Sequence, residues 1–283
     1  MTGFVNFLKP PKMSSAGAVS YIKKLYKVNK CGHMGTLDPF ACGVLPIALG
    51  RATRLFDYLI NKTKVYRAIF RFGIETDTFD LDGQITRIDN KVVTLDEVNS
   101  VLHQFKGVIF QTPPKYSAKK INGERAYKLA RSGEEIELKP SKVEIFDIEA
   151  ADFGSNEFAF DIKCSGGTYI RSLCRDIANQ LNTCGVMTCL IRTASGFFKI
   201  EDCKTQEQLN DSLDIIRCDD VLADFEKCIV NTERDYFLAI NGAPFFGDCK
   251  SNQTKDLAVY FDNTLIGVAQ KKDDKFKLDI RLV

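Results

Sequence analysis

Between Cys31 and Thr53 the chain carries Gly32, Gly35, Gly43 and Gly50 together with Pro39 and Pro46, and no helical or strand period runs through the segment. Glycines admit tight turns and close backbone approach, and prolines stiffen what lies between them. Whatever the remainder folds into has to frame this stretch. It holds one carboxylate, Asp38, the sole acidic residue among the first 56. Lys9, Lys12, Lys23, Lys24, Lys27, Lys30, Arg51 and Arg54 stand around it in sequence. Neighbouring positive charge favours an ionised carboxylate, which suits a nucleophile better than a general acid. Asp before Pro is also a common turn cap. The residues alone leave both uses open.

The basic surroundings extend further. Residues 1–72 carry twelve Lys/Arg against Asp38 and Asp57, a net of +10, whereas the whole 283-residue chain sums to +2. A basic lobe on a nearly neutral protein points to a polyanion such as nucleic acid, or simply to a solvated lysine-rich face. The length predicts one large domain plus a small one with a substantial core. No stretch is apolar enough for a membrane span, and residues 41–50, the nearest, are broken by Pro46. The first ten residues lack the pattern of a signal peptide. Ten cysteines include no Cys-x-x-Cys pair and are accompanied by two histidines. They read as reduced thiols filling space, not as a zinc site or a disulfide frame.

Patterning predicts a strand at Phe4–Leu8, a helix over 16–26 capped by Ser14 or Ser15, and helical structure over 54–60. Val65–Gly73 alternates: Tyr66, Ala68, Phe70 and Phe72 face inward, and Arg67 and Arg71 make a basic outer face. The Asp/Thr/Gly run 73–83 reads as a hydrogen-bonded turn. Thr94-Leu95-Asp96-Glu97 opens a helix with a capping box. Residues 111–133 pass from a Pro-Pro loop into a short basic helix. Tyr116 and Tyr127 among its lysines and arginines suit looped RNA, where phosphate contact and stacking act together. Strands follow at Val143–Ile148 and Glu157–Cys164, then a helix with Ile170, Leu173, Ile177 and Leu181 on its buried stripe, then a strand at Gly185–Thr193. Arg171 stands in the first turn of that helix, where the dipole favours anions. It therefore wants a negative partner, a carboxylate or a phosphate. Beyond an acidic stretch at 211–224, short strands are expected at Phe237–Ile240, Leu257–Phe261, Leu265–Ala269 and Lys275–Ile280.

The run His33-x-Gly35-Thr36-Leu37-Asp38-Pro39-x-Ala41-x-Gly43-Val44-Leu45-Pro46, with Gly50-x-Ala52-Thr53, closely resembles the catalytic motif of the TruB family of tRNA pseudouridine-55 synthases. Further matches follow in the family's order. They are Lys64-x-Tyr66, Gly73 with Thr76-Asp77-Thr78-x-Asp80, Gln111-x-Pro113-Pro114-x-Tyr116-Ser117-Ala118, Gly123-x-Arg125-Ala126-Tyr127, Gly167-Thr168-Tyr169-Ile170-Arg171 and Leu190-x-Arg192-Thr193. The likeness spans about residues 3–200, and ordered motifs are far more specific than any single one.

The resemblance implies an α+β pseudouridine synthase fold, with a central mixed, largely antiparallel sheet flanked by helices and a small C-terminal β (PUA-like) module. Residues 1–228 would form the catalytic domain, with a basic RNA-gripping insertion at about 111–150, and 229–283 a short RNA-binding module. The implied reaction isomerises a T-loop uridine of tRNA to pseudouridine after flipping it into a pocket. No metal or other cofactor is implied. The expected partner is the tRNA T-arm, with no membrane and no obligate protein partner, and the expected location is cytoplasmic. Asp38 would be the nucleophile, attacking C1′ or C6 or assisting elimination to a glycal. Arg171 would pair with it, and Tyr66 would stack on the uracil. His33 would fill the space the base leaves, and Tyr169 and Leu190 would line the uracil pocket. Lys115, Lys119, Lys120, Arg125, Lys128 and Arg131 would grip the RNA. A non-catalytic tRNA-binding or folding chaperone on the same scaffold, and a glycosidic-bond hydrolase, are the rival expectations.

Overall fold

The computed structural model describes residues 1–60, 62–116, 138–209, 214–249 and 256–283, and the backbone of 120–121 and 124–125. The first sheet uses β1 (Gly3–Lys9), β2 (Cys31–His33), β3 (Cys42–Leu49) and β4 (Lys64–Phe72). Two small ribbons stand apart, β5 (Ile74–Thr76) with β6 (Ile85–Ile88), and β8 (Lys120–Ile121) with β9 (Glu124–Arg125). The sheet is completed by β7 (Gly107–Gln111), β10 (Ser141–Gly154), β11 (Glu157–Cys164), β12 (Gly185–Ser195) and β13 (Phe198–Lys199). Its order is β1-β3-β12-β4-β11-β10-β7, with β2 added to β3 and β13 to β12. Every pairing is antiparallel except β3 with β12. The mixed, largely antiparallel sheet is therefore the expected one.

The missing strand period over 42–49 has a physical cause. From Gly43 onward every residue of β3 is buried, because both faces are covered. Leu45, Ile47 and Leu49 pack with Ala18 and Ile22 of α1 (Ser15–Leu25), while Val44 and Ala48 pack with Ala258 and Val268 of the second sheet. A strand buried on both faces reads as a continuous apolar run, not an alternation. Pro46 is tolerated inside this strand because its carbonyl faces the gap where β2 has ended, accepting Met34 N–H at 2.8 Å. In a strand the N–H and C=O of one residue point to the same side, so no ladder bond to β1 is lost.

Further helices pack on both cores, the first of them through Leu59 on the core shared with the second sheet and the next two on that of the first sheet. After a 3₁₀ turn at Gly50–Leu55 comes α2 (Phe56–Ile60), then α3 (Leu95–Leu102) and α4 (Ile170–Gln180). Ser14 caps α1 and Thr94 builds the expected capping box on α3. After α5 (Cys218–Val221) the second sheet begins, with β14 (Glu226–Val230), β15 (Asp248–Cys249), β16 (Leu257–Phe261), β17 (Thr264–Lys272) and β18 (Lys275–Arg281) in the order β15-β14-β16-β17-β18. The strand expected at Phe237–Ile240 is instead the end of α6 (Glu233–Ile240). Thr232 accepts the Asp235 N–H as its N-cap, and Asn241-Gly242 is its C-terminal stop, with Gly242 at φ +80°. Among the described residues, no helix is long and apolar enough to cross a membrane.

Charge counting also needs correction. Lys9 and Lys64 are buried, and Arg67 pairs with Asp161 at 2.7 Å on the sheet face opposite Tyr66. The surface available to a polyanion is thus narrower than the net +10 suggests, and Arg67 does not extend it. Lys12, Lys23, Lys24, Lys27, Lys30, Arg51 and Arg54 are exposed.

Gly43 shows how tightly the parallel pair is closed. Its φ is +111°, and a Cβ there would lie 2.3 Å from the Arg192 carbonyl oxygen. Both strain and overlap oppose any side chain. Gly43→Ala should lower the unfolding free energy by about 2–4 kcal/mol, measured by urea denaturation.

Candidate active site

The loop between β2 and β3 is fixed by side chains from three other elements. At the start of α1, Ser15 Oγ accepts the Leu37 N–H at 2.9 Å and donates to the Leu37 carbonyl at 2.7 Å. Lys9, at the end of β1, donates to the carbonyls of Met13 (2.7 Å), Pro10 (2.8 Å) and Pro39 (3.2 Å). Arg192, wholly buried on β12, donates to the carbonyls of Val44 (2.7 Å), Thr36 (3.2 Å) and Gly35 (3.3 Å). Met34, Leu37 and Ala41 are sunk in the core on either side. With its backbone so held, the loop presents Asp38 to a cavity of about 310 Å³.

Arg171 meets Asp38 there, Nε to Oδ2 at 2.9 Å. Its guanidinium is buried and has further partners. One terminal nitrogen pairs with Asp80 Oδ2 at 3.1 Å and donates to the Thr78 carbonyl at 3.0 Å, and the other donates to the Tyr116 carbonyl at 3.0 Å. Asp80 was not anticipated. It is buried in the 73–83 turn, where its carboxylate accepts Thr78 Oγ1 at 2.6 Å and the Asp82 N–H at 3.0 Å. Burial raises its pKa, opposed by the Thr78 hydrogen bond and by Arg171. The Thr78-x-Asp80 spacing marked a turn, but nothing local linked it to a helix ninety residues on.

The remaining wall comes from β4, β12 and the start of α4. Tyr66 is buried against Arg192 with its phenol pKa raised, chiefly by burial. Leu190 and Tyr169 line the same cavity, and the Tyr169 N–H is held by Gln111 Oε1 at 2.7 Å. Asp38, Tyr66, Arg171, Tyr169 and Leu190 are thus brought together. His33 stands apart, paired with Ile47 on β2 and outside the cavity lining. Lys115 is exposed on the loop after β7. Lys119, Lys128 and Arg131, and the side chains of Lys120 and Arg125, lie outside the described residues.

Sequence reasoning also passed over Lys9, Lys64, Ser15 and Arg192 as site residues. A buried lysine looks like any other in a basic stretch, although Lys64 and Arg192 both belong to family-like motifs, Lys64-x-Tyr66 and Leu190-x-Arg192-Thr193. Burial pulls Lys9 down to about 8 and Lys64 to about 7, with the Arg192 guanidinium adding to the effect in each.

Two stability measurements follow. Arg171→Leu leaves Asp80 buried without its cation and should cost about 3–5 kcal/mol in chemical denaturation, partly recovered by adding Asp80→Asn. For Lys64 the folded pKa of about 7 lies below the unfolded 10.5, so between these values the unfolded chain binds more protons and stability rises with pH. Lys64→Met lacks that slope. It should be more stable than wild type by a few kcal/mol at pH 7, at about 1.4 kcal/mol per pKa unit, and the gap should close toward pH 10.

Comparison with known proteins gives the family of the chain. The "TruB family pseudouridylate synthase (N terminal domain)" matches residues 23–170, and the "tRNA pseudouridylate synthase B C-terminal domain" matches 171–233. The tRNA pseudouridine synthase B of Clostridium perfringens is 40% identical over 293 residues, covering 100% of this chain and 99% of the relative. That of Caldanaerobacter subterraneus subsp. tengcongensis is 46% identical over 211 residues, 74% of each chain. Among solved structures, a chain of a Cbf5-Nop10-Gar1 complex superposes with a TM-score of 0.73 at 25% identity, over 99% of this chain and 84% of that one. A chain of an H/ACA RNP bound to a substrate RNA containing 2'-deoxyuridine gives 0.73 at 22%, over 99% and 85%, a likeness of fold. With both family domains matched in order and full-length relatives at this identity, the protein belongs to the TruB family of pseudouridylate synthases.

Proposed function

We propose that the protein converts the T-loop uridine at tRNA position 55 to pseudouridine by flipping the base and using Asp38 as nucleophile. The observation that supports this most is the Asp38 carboxylate, gripped by Arg171 at 2.9 Å on the wall of a cavity backed by Tyr66 and Leu190. A carboxylate needs no general base to act as a nucleophile. Arg171 fixes its direction of approach, and orientation of this kind supplies a large share of a barrier reduction. Tyr66 offers a ring for stacking and a buried hydroxyl near the reacting atoms. The aromatic and aliphatic wall keeps water from a covalent intermediate and retains the detached base while it turns. His33, outside the cavity lining, is assigned by the family resemblance to the space that the flipped base leaves in the RNA. The catalytic unit is read as 1–228 and a short RNA-binding module as 229–283, with the basic 111–150 insertion gripping the T-arm. A tRNA substrate puts this work in the cytoplasm.

Asp38→Asn tests the reading. Pseudouridine formation on a T-arm transcript, followed by carbodiimide-stop primer extension, should fall by about 10⁴-fold or more, while tRNA binding persists. Unaltered conversion would remove Asp38 as nucleophile. Wild-type enzyme that binds tRNA without converting it would favour the chaperone.

A further inference from the structure

Three cations line the cavity that holds Asp38, and one of them, Lys64, has incomplete bonding where Arg171 and Arg192 do not. Lys64 opens β4 and is 3% exposed. Among the described residues its Nζ has one hydrogen-bond acceptor, the Leu59 carbonyl at 3.5 Å, a contact too long to bind firmly. Lys9 is equally buried but donates to three carbonyls between 2.7 and 3.2 Å. An ammonium carries three donors, and leaving them unmet in the interior is costly. Lys9 is therefore an internal brace that is complete without a ligand. Lys64 is not, and it lines the cavity.

Its position has chemical meaning. Lys64, Tyr66 and Ala68 share one face of β4, with Arg192 opposite Tyr66 and Leu190 opposite Ala68 on β12. A flat ring laid on Tyr66 with one edge toward Leu190 turns another edge toward Lys64. Phosphates carry their charge on the strand outside such a pocket, whereas the groups a uracil brings inside are its two carbonyl oxygens.

We propose that Lys64 is a catalytic residue whose ammonium donates to a carbonyl oxygen of the target uracil and stabilises the negative charge that the ring takes up. The proposal rests on reading this cavity as the uridine site. It does not depend on the order of covalent steps. In attack at C1′, an Asp38 oxygen bonds to C1′, the C1′–N1 bond breaks, and its electron pair passes to N1 and spreads onto O2 and O4. Elimination to a glycal sends the same pair to the base while the C2′ proton goes to Asp38. Attack at C6 moves the C5–C6 π pair through C4 onto O4. Each route delivers charge to the carbonyl oxygens, where a fixed donor in a dry site acts most strongly. Free Lys64 titrates near neutrality, so charge arriving on the ring holds its proton in place.

The full-length Lys64→Met and Lys64→Gln proteins test this. Single-turnover rates at saturating tRNA transcript should fall by about 10²–10³-fold, with tRNA affinity within about twofold and thermal stability undiminished. A merely structural lysine would lose stability on substitution and leave the rate unchanged. The second arm replaces the target uridine by 2-thiouridine or 4-thiouridine, since sulfur accepts hydrogen bonds weakly. One of the two should slow wild type by about tenfold or more, and the same replacement should make little further difference to Lys64→Met. Variants that turn over at the wild-type rate overturn the proposal, as do thio effects of equal size in wild type and variant. Should neither variant fold, wild type indifferent to both thio substrates overturns it alone. Absence of pseudouridine from wild type with ordinary tRNA would instead strike the uridine assignment.

Discussion

One guanidinium joins three distant parts of the chain. Arg171 projects from the first turn of α4 and takes partners from the β2–β3 loop, from the turn at 73–83 and from the backbone at Tyr116. A cation removed from water at this depth persists only if its donors are met and its charge is balanced. Two carboxylates and two carbonyls do that here. The rigid, forked shape of arginine is what allows several directions to be served at once; a lysine could not. Because Asp80 is itself tied by Thr78 and the Asp82 N–H, Asp38 is held by a group that has little freedom of its own. The turn in turn lies on the main sheet, with Met187 N–H bonded to the Phe79 carbonyl at 3.1 Å. Asp38 is thus located by the closure of the whole sheet.

The other buried cations divide the labour. Arg192 donates to the Gly35 and Thr36 carbonyls of the Asp38 loop and Lys9 to that of Pro39, replacing ladder bonds that a stretch of glycine and proline cannot make for itself. Their burial costs stability, and the return is a loop with one conformation. Lys64 does no such bracing. The Arg192 guanidinium disfavours the charged form of Lys64, and negative charge developing beside Lys64 would offset that repulsion.

What could be read from the residues follows from where each signal is local. Capping at Ser14 and Thr94, and the alternation of β4, depend on neighbours in sequence and were legible. Asp38 drew attention as a lone acid among bases in a rigid segment. The strand period of β3 was erased by burial on both faces, and α6 was hidden because its cap residues also read as turn residues. Lys9, Lys64 and Asp80 were illegible as site residues for a different reason. Whether a charged side chain faces solvent or interior is decided by strands paired across the sheet, and net charge counts both kinds alike. The family resemblance supplied the pairing of Arg171 with Asp38, whereas the residues alone asked for an unspecified anion. Asp80 as a second anion came from the geometry.

That second carboxylate bears on the rival chemistry. Glycoside hydrolysis ordinarily uses two carboxyl groups flanking the scissile bond, about 5–9.5 Å apart, one to protonate the leaving group and one to attack or to activate water. Asp80 shares Arg171 with Asp38, and charge and proximity alone would cast it as that partner. Its surroundings forbid the role. It lies behind Arg171, its oxygens are taken up by the guanidinium, Thr78 and the Asp82 N–H, and it does not line the cavity. A substrate in the cavity meets Asp38, Tyr66 and Lys64, with no second carboxyl among the described lining residues and an enclosed apolar wall at Leu190. With Asp38 as the proposed nucleophile and no second carboxyl among the described lining residues, the arrangement favours returning the base to the sugar over releasing it. Retention, more than cleavage, is the property that separates an isomerase from a hydrolase, and here the apolar lining at Leu190 serves the first while Asp80, occupied by Arg171 and Thr78, offers nothing to the second.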